Sequence, residues 1–252
     1  MRTSETHTKS SVGFADLKIK DIVATNFRAA QVFEKYGIDY CCHGNRQLGE
    51  ALQEKNLAVS EIHNQLNALE ERGGDDSNKY SEWDLDFLAQ FIVNTHHAYV
   101  KKSIPQIKEH LAKVINAHGK KYSYLAEVEA AFDSIAAELT SHMMKEENIL
   151  FPLIHYLTET KKFNERPKTG GYGTIKNPIR RMEEEHSSAG EVLSTMKKLT
   201  NNYTLPKDAC TTFKVTYEEL KEFELDLHKH IHLENNILFP KAIELEEELL
   251  KL

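Results

Sequence analysis

One pattern occurs twice in this sequence, and it constrains the fold more than any other feature. The segments HMMKEENILFP and HIHLENNILFP begin at His142 and His230, 88 residues apart. In each segment a glutamate, Glu146 or Glu234, follows the histidine by four residues. On a helix this spacing places imidazole and carboxylate on one face, about one turn apart. If that face points inward, the cost of burying two unpaired glutamates indicates a bound cation.

Beyond Trp83, apolar residues recur at steps of three and four, as they do in long amphipathic helices. The clearest stripe contains Leu125, Val128, Phe132, Ile135, Leu139, His142, Glu146, Ile149 and Leu153. Three other segments share this spacing, and each of their stripes also contains a histidine: His96 or His97, His186 and His230. Four such helices predict an all-α protein with a four-helix bundle. The spacings of 45 residues from His97 to His142 and 44 from His186 to His230 indicate a duplicated helix pair.

The histidines and glutamates of these stripes have the chemistry of a metal site. One histidine on an apolar face is usually a hydrogen-bonded core residue, but four histidines and two glutamates at one depth are difficult to explain in that way. Imidazole and carboxylate together suit iron, zinc, manganese or copper. Two metal ions that share both glutamates would each have four protein ligands and positions open to small molecules. We therefore expect two non-haem iron ions per chain, bridged by an oxo or hydroxo group. His228 and His232 lie off the stripe, and we expect them at the surface.

Several longer motifs resemble those of a known family. The segments HMMKEE, EEEHSSAGE and HIHLENNILFP resemble the hemerythrin-like bundle of the Repair of Iron Centres family of di-iron proteins. YGIDYCCHG is similar to the small cysteine-containing domain of that family, and TNNYTLPKDACTTF resembles the segment that leads into its last helix. The resemblance extends from about Phe14 to Ala242. It implies that the terminal iron ligands are His97, His142, His186 and His230. It also implies that the bridging carboxylates are Glu146 and Glu234.

The first of these ligands is open to two interpretations. Periodicity slightly favours His96, because Ile92 and Tyr99 flank it on the stripe. The family's distance from this ligand to the following proline instead matches His97, which is eight residues before Pro105. We predict that His97 is the ligand.

The sequence also predicts how the chain is divided. Residues 1–13 are expected to form a flexible N-terminus, 14–72 a small cysteine-containing helical domain, 73–82 a linker and 83–252 the hemerythrin-like bundle. Within the small domain we expect helices after Asn26, from about Gln47 and from an N-cap at Ser60. A segment of about 60 residues without disulfides is marginally stable alone. We therefore expect it to pack on the remainder or on a second chain, in a homodimer.

Cys41 and Cys42 are adjacent in the small domain. A trans peptide bond holds their Cα atoms about 3.8 Å apart, which is too close for an unstrained disulfide. A nearby helix start, together with His43 and Arg46, is expected to lower a thiol pKa. The alternative is that both are small buried residues, whereas the resemblance implies a functional pair. We expect Cys210, before the last helix, to lie in the core.

The composition limits where in the cell the protein is expected and which partners it is expected to bind. A net charge of −7 disfavours nucleic acid. No stretch approaches the roughly 20 apolar residues of a membrane helix, so no membrane partner is expected. Three cysteines cannot form a disulfide framework, which favours the reducing cytoplasm.

The resemblance implies a protein that repairs iron-sulfur clusters damaged by nitrosative or oxidative stress. Damaged iron-sulfur proteins would be its partners, and iron supply is one route of repair. Two alternatives remain open from the residues. A protein that binds or senses dioxygen or nitric oxide would need the metal site but no cysteines. An enzyme that reduces nitric oxide at the two irons would need an external electron donor.

Overall fold

The computed structural model describes residues 13–71, 80–168, 171 and 173–252 of the 252-residue chain. Among these residues the secondary structure is helical, apart from an isolated bridge between Lys18 and Gln47. The predicted all-α fold is therefore confirmed for the described part of the chain. Contacts divide the chain into two compact units, Met1–Ser81 and Glu82–Leu252. The expected flexible N-terminus and most of the expected linker, residues 1–12 and 73–79, lie outside the described residues.

The N-terminal unit consists of short helices. A 3-10 turn at Phe14–Asp16 is followed by α1 (Ile19–Thr25), α2 (Ala29–Lys35), α3 (Leu48–Glu54) and α4 (Val59–Glu71). A second 3-10 turn, Tyr80–Glu82, includes the last residues of this unit and the first residue of the next. Helix α1 was not predicted from the sequence, and α4 begins one residue before the expected N-cap at Ser60. After α2 the chain turns at Gly37, whose positive φ of 63° favours glycine. The cysteine pair follows in the irregular segment between α2 and α3.

The second unit consists of four long helices, three of which contain a π-helical turn. The first helix contains α5 (Leu85–Ile92), a π turn (Val93–His97) and α6 (Ala98–His118). The second contains α7 (Leu125–Lys145), a π turn (Glu146–Leu150) and α8 (Phe151–Lys162). The third is α9 (Lys176–Leu199). The fourth contains α10 (Thr211–Leu233), a π turn (Glu234–Leu238) and α11 (Phe239–Leu249). Each π turn includes one predicted metal ligand.

The four helices pack into a bundle around the predicted apolar stripes. Helix α6 contacts α7 and α10, α7 contacts α9, and α8 contacts both α5 and α11. The stripe of α7 is buried at Leu125, Val128, Phe132, Ile135 and Leu139. Phe132 meets Phe223 of α10 edge to face, with ring centroids 5.3 Å apart. Among the described residues, no helix combines the length and the apolar character needed to cross a membrane.

The π turn in the second helix changes which residues face the core. The predicted stripe was wrong at Ile149, which is 47% exposed, whereas the next residue, Leu150, is 1% exposed. A π turn accommodates one more residue than an α turn, so it moves the following positions around the helix axis. The Asn148 side chain donates a hydrogen bond to the Met144 carbonyl (2.7 Å), so this carbonyl has a partner where the helix becomes π-helical.

Two further predictions about individual residues were wrong. His232 is fully buried, because the fourth helix is covered by the π turn of the first helix as well as by α6. His228 is half-buried. Cys210 is exposed rather than in the core, because it occupies the N-cap of α10 at the end of the bundle. Its Sγ lies 3.2 Å from Nε2 of His118.

The shifted register in the second helix can be tested with two neighbouring substitutions. We expect Leu150→Ala to lower the free energy of unfolding by about 2–5 kcal/mol, because it leaves a cavity in the core. Ile149→Ala should change it by less than about 0.5 kcal/mol, because the side chain is largely in solvent. Urea denaturation of the metal-free proteins, followed by circular dichroism, measures both values. The reverse order would show that the uninterrupted stripe describes this helix better.

Candidate metal centre

Two buried carboxylates from the second and fourth helices lie at the centre of the bundle. Glu146 faces two histidines, with Oε2 3.3 Å from Nε2 of His97 and Oε1 3.2 Å from Nε2 of His142. The carboxylate therefore directs one oxygen towards each imidazole. Glu146 and His97 are fully buried, and His142 is nearly so.

Glu234 has the same relation to the other two predicted ligands. Its Oε1 lies 3.0 Å from Nε2 of His230, and its Oε2 lies 3.1 Å from Nε2 of His186. These three residues are also buried. Glu146 therefore lies between a histidine of the first helix and one of the second. Glu234 lies between a histidine of the third helix and one of the fourth.

The six residues form two groups of four, and both glutamates belong to each group. One group consists of His97, His230 and the two glutamates, and the other of His142, His186 and the same glutamates. Within each group, the atoms available as ligands all lie within 4.8 Å of one another. Each group therefore offers four candidate ligands to a cation, and the two groups share both carboxylates.

The polar atoms of the centre fit a cation. Nε2 of His97, both oxygens of Glu146 and Oε2 of Glu234 are buried without a hydrogen-bond partner. Nε2 of His142 also faces Nε2 of His186 at 3.0 Å. Buried polar groups normally have partners, and converging imidazole and carboxylate donors are suitable ligands for a transition metal.

A second layer of residues orients the imidazoles. Nδ1 of His97 lies 2.7 Å from Oε1 of Glu147, and Nδ1 of His142 lies 3.0 Å from Oε2 of Glu185. Nδ1 of His186 lies 2.8 Å from Oδ1 of Asn235. When Nδ1–H donates to such an acceptor, the lone pair of neutral imidazole is on Nε2, which faces the centre. The second layer therefore selects the tautomer that binds metal.

The ionisation of the centre also reflects the clustering of opposite charges. Burial alone would lower the pKa of His142, but Glu146, Glu234 and Glu185 raise it to about 9. Burial and the charge of Glu234 would raise the pKa of Glu146, but His142 and His97 hold it below its usual value. Without a cation, protons on imidazoles therefore balance the carboxylates, and a metal ion competes with those protons.

The geometry explains why the glutamate segment occurs twice. The residue after each glutamate, Glu147 or Asn235, accepts a hydrogen bond from a histidine of a neighbouring helix. The phenylalanine five residues after each glutamate stacks on the same histidine: Phe151 on His97 at 5.8 Å and Phe239 on His186 at 6.1 Å between ring centroids. The two copies thus supply equivalent parts of one centre.

The two groups of four are not equivalent in every respect, and His96 is one difference between them. It is buried, but its Nδ1 lies 2.8 Å from Oδ1 of Asp226, and it belongs to neither group of four. Its ring stacks on His230, with centroids 5.7 Å apart. Nδ1 of His230 has no hydrogen-bond partner, whereas His142 has the Glu185 carboxylate in the corresponding place. The two groups therefore differ in their second layer.

The residues of this second layer were not predicted from the sequence. Glu147, Glu185 and Asn235 are each adjacent in sequence to a predicted ligand, and this adjacency was the available signal. Lys101 pairs with Glu147 at 2.8 Å, and Lys145 pairs with Glu185 at 2.6 Å. These ion pairs fix the outer carboxylates at the bundle surface.

The cysteine pair belongs to the N-terminal unit. Cys41 is 5% exposed, and Cys42 is partly exposed. The expected low thiol pKa was wrong for Cys41. A hydrogen bond to Cys42, burial and the nearby Asp39 carboxylate raise its pKa well above the usual value.

The chain matches two known domain families. Residues 15–70 match a domain of unknown function, DUF542, and residues 88–242 match the hemerythrin HHE cation binding domain. This protein therefore belongs to the hemerythrin HHE family of cation-binding helical bundles.

Its relatives include proteins with both segments. A "Probable iron-sulfur cluster repair protein" of Haemophilus influenzae is 37% identical over 235 residues, which cover 92% of this chain and 99% of that protein. The iron-sulfur cluster repair protein YtfE of Yersinia pestis is 35% identical over 216 residues, which cover 86% and 91% respectively. YtfE of Yersinia pseudotuberculosis matches equally well. The predicted family resemblance is thereby confirmed.

The two adjacent histidines of the first helix provide a test of the centre. His97→Ala should lower the metal content by about one ion per chain, because Nε2 of His97 faces Glu146. His96→Ala should leave the metal content unchanged, because His96 is in neither group. His228→Ala is the control for a histidine outside the centre. Metal analysis of the purified variants measures the loss, and a larger loss from His96→Ala would contradict this assignment.

Proposed function

We propose that this protein holds two non-haem iron ions and uses them to repair iron-sulfur clusters damaged by nitrosative or oxidative stress. One observation carries the proposal: two buried groups of histidines share both Glu146 and Glu234. Four imidazoles and two carboxylates suit iron, and the relatives with both domains are named for iron-sulfur cluster repair.

The proposed role of each ligand follows from its position. His97 and His230 would hold one iron and His142 and His186 the other, while both glutamates would bridge the pair. Bound iron would supply redox chemistry and positions for small ligands such as nitric oxide or dioxygen. The protein residues keep water away from the centre, fix the Nε2 atoms and balance charge.

Two surface pockets support access to this centre. One, of about 350 Å³, is lined by Glu147 and Phe151, both of which contact His97. The other, of about 410 Å³, is lined by Glu185, whose carboxylate contacts His142. A single layer of side chains therefore separates each pocket from an imidazole of the centre. Iron or a small ligand would have a short path on either side.

We assign the cysteine pair a part in delivery rather than in holding the resident irons. Iron held by imidazole and carboxylate needs a ligand of matching softness before it reaches a sulfide-rich acceptor, and thiolates provide one. Damaged iron-sulfur proteins would be the acceptors. Cys41 and Cys42 would act as this intermediate ligand.

The function is tested by reactivation of an enzyme whose iron-sulfur cluster has been nitrosylated. The protein loaded with two irons should restore its activity, and the metal-free protein should not. Reversible binding of nitric oxide or dioxygen without reactivation would instead favour a carrier or sensor. Formation of nitrous oxide over many turnovers, with an added electron donor, would favour a nitric oxide reductase.

A cysteine variant separates metal binding from repair. The Cys41→Ser/Cys42→Ser variant should retain two irons, because all six proposed ligands are in the bundle, but its repair rate should fall roughly tenfold or more. Cys210→Ser, at an exposed position, is the matched control and should repair normally. Repair rates are compared at equal iron content. Full activity in the double variant would show that the cysteine pair is not needed.

We also propose that the protein functions as a homodimer. The N-terminal unit is small, and pairing with a second chain would add to the apolar surface that it buries. Light scattering of the iron-loaded protein at micromolar concentration should give twice the mass of one chain, which is 28.9 kDa. A mass of one chain at this concentration would contradict the proposal.

A further inference from the structure

A further group of side chains of metal-ligating types lies outside the bundle, in the irregular segment between α2 and α3. Asp39, Cys41 and Cys42 direct one carboxylate oxygen and two sulfurs towards one another, all within 4.8 Å. Sγ of Cys41 lies 3.7 Å from Sγ of Cys42 and 3.4 Å from Oδ1 of Asp39. Neither cysteine forms a disulfide.

These separations agree with those of tetrahedral metal ligands. With metal–sulfur bonds of about 2.3 Å, two sulfurs of a tetrahedral site are roughly 3.8 Å apart. With a metal–oxygen bond of about 2.1 Å, sulfur and oxygen are roughly 3.6 Å apart. A disulfide would require the sulfurs to approach to about 2.05 Å. The cysteine pair is therefore spaced for a shared ion rather than for a bond to each other.

The backbone and a neighbouring histidine hold this arrangement in place. The amide groups of Cys41 and Cys42 both donate to Oδ1 of Asp39 at 3.0 Å. The other carboxylate oxygen, Oδ2, lies 2.6 Å from Nδ1 of His43. These contacts fix the carboxylate beside the Cys41 sulfur before any ion arrives, so binding requires little reorganisation.

We propose that Asp39, Cys41 and Cys42 bind one divalent transition-metal ion. On binding, the two thiols become thiolates and release two protons, and the ion keeps its oxidation state. The three residues leave one tetrahedral position for an exchangeable ligand. Asp39 and Cys42 are partly exposed, so the ion enters and leaves from the solvent side.

The thiol of Cys41 is protonated when no ion is present. A hydrogen bond to Cys42, burial and the Asp39 carboxylate together raise its pKa, so an ion must displace this proton. A cation at the same place reverses this effect, because a coordinated thiol is deprotonated. The identification of the ion as Fe²⁺ rests on the proposed function, whereas the binding of a divalent ion does not.

Cobalt titration tests the site, because Co²⁺ bound to thiolate has intense near-ultraviolet charge-transfer absorption. The iron-loaded protein, with its thiols reduced, should take up one Co²⁺ per chain with this absorption and without losing iron. Asp39→Asn keeps an acceptor for the backbone amides but loses the charge, and it should weaken Co²⁺ binding by roughly tenfold to a hundredfold. Cys42→Ser should abolish most of the absorption, and Cys210→Ser should not change it.

The outcomes separate this site from the proposed function. Absence of the charge-transfer absorption in a folded wild-type protein, or equal absorption in Cys42→Ser, would overturn the site. Loss of the absorption in Cys210→Ser would assign the cobalt to the exposed thiol near His118 and would also overturn it. If Co²⁺ binds as expected but iron-loaded protein fails to reactivate a damaged cluster, the site stands and the repair function falls.

Discussion

The bundle depends on the burial of two like charges close to each other. Glu146 and Glu234 are both fully buried, and the charge of Glu234 tends to raise the pKa of Glu146. Such a pair is unfavourable unless positive charge is placed between or beside the carboxylates. The imidazoles of His97 and His142 meet part of this requirement, because the neighbouring glutamates raise their pKa values above the usual one. A cation at the centre satisfies it most directly.

Much of this centre could be predicted from the sequence, because helix periodicity fixes which side chains share a face. The stripe of α7 led directly to His142 and Glu146. Periodicity was a poor guide near the π turns: it placed Ile149 inwards, and it slightly favoured His96, which belongs to neither group of four. Both residues lie in π turns, whose extra residue has no signature in a simple three-and-four pattern. The proline spacing of a related family carried that information instead.

Other features could not be predicted because they depend on contacts between distant segments. The exposure of Cys210 follows from where α10 begins, and the burial of His232 follows from which helices cover it. The expected low thiol pKa of Cys41 was wrong because the sequence suggested the nearby cations but not the hydrogen bond to Cys42, the burial of the thiol or the contact with the Asp39 carboxylate. A local charge pattern does not determine which neighbour lies closest.

The repeated glutamate segment has a consequence for the origin of the fold. Glu146 and Glu234, Glu147 and Asn235, and Phe151 and Phe239 are three equivalent pairs, each 88 residues apart. Each half of the bundle supplies two histidines and one glutamate, so neither half contains all six residues of the candidate centre. A two-helix hairpin that paired with an identical copy would build the same centre from two chains. The bundle thus has the form of a symmetric hairpin dimer joined into one polypeptide, after which His96 and Glu185 could diverge without disturbing the shared core.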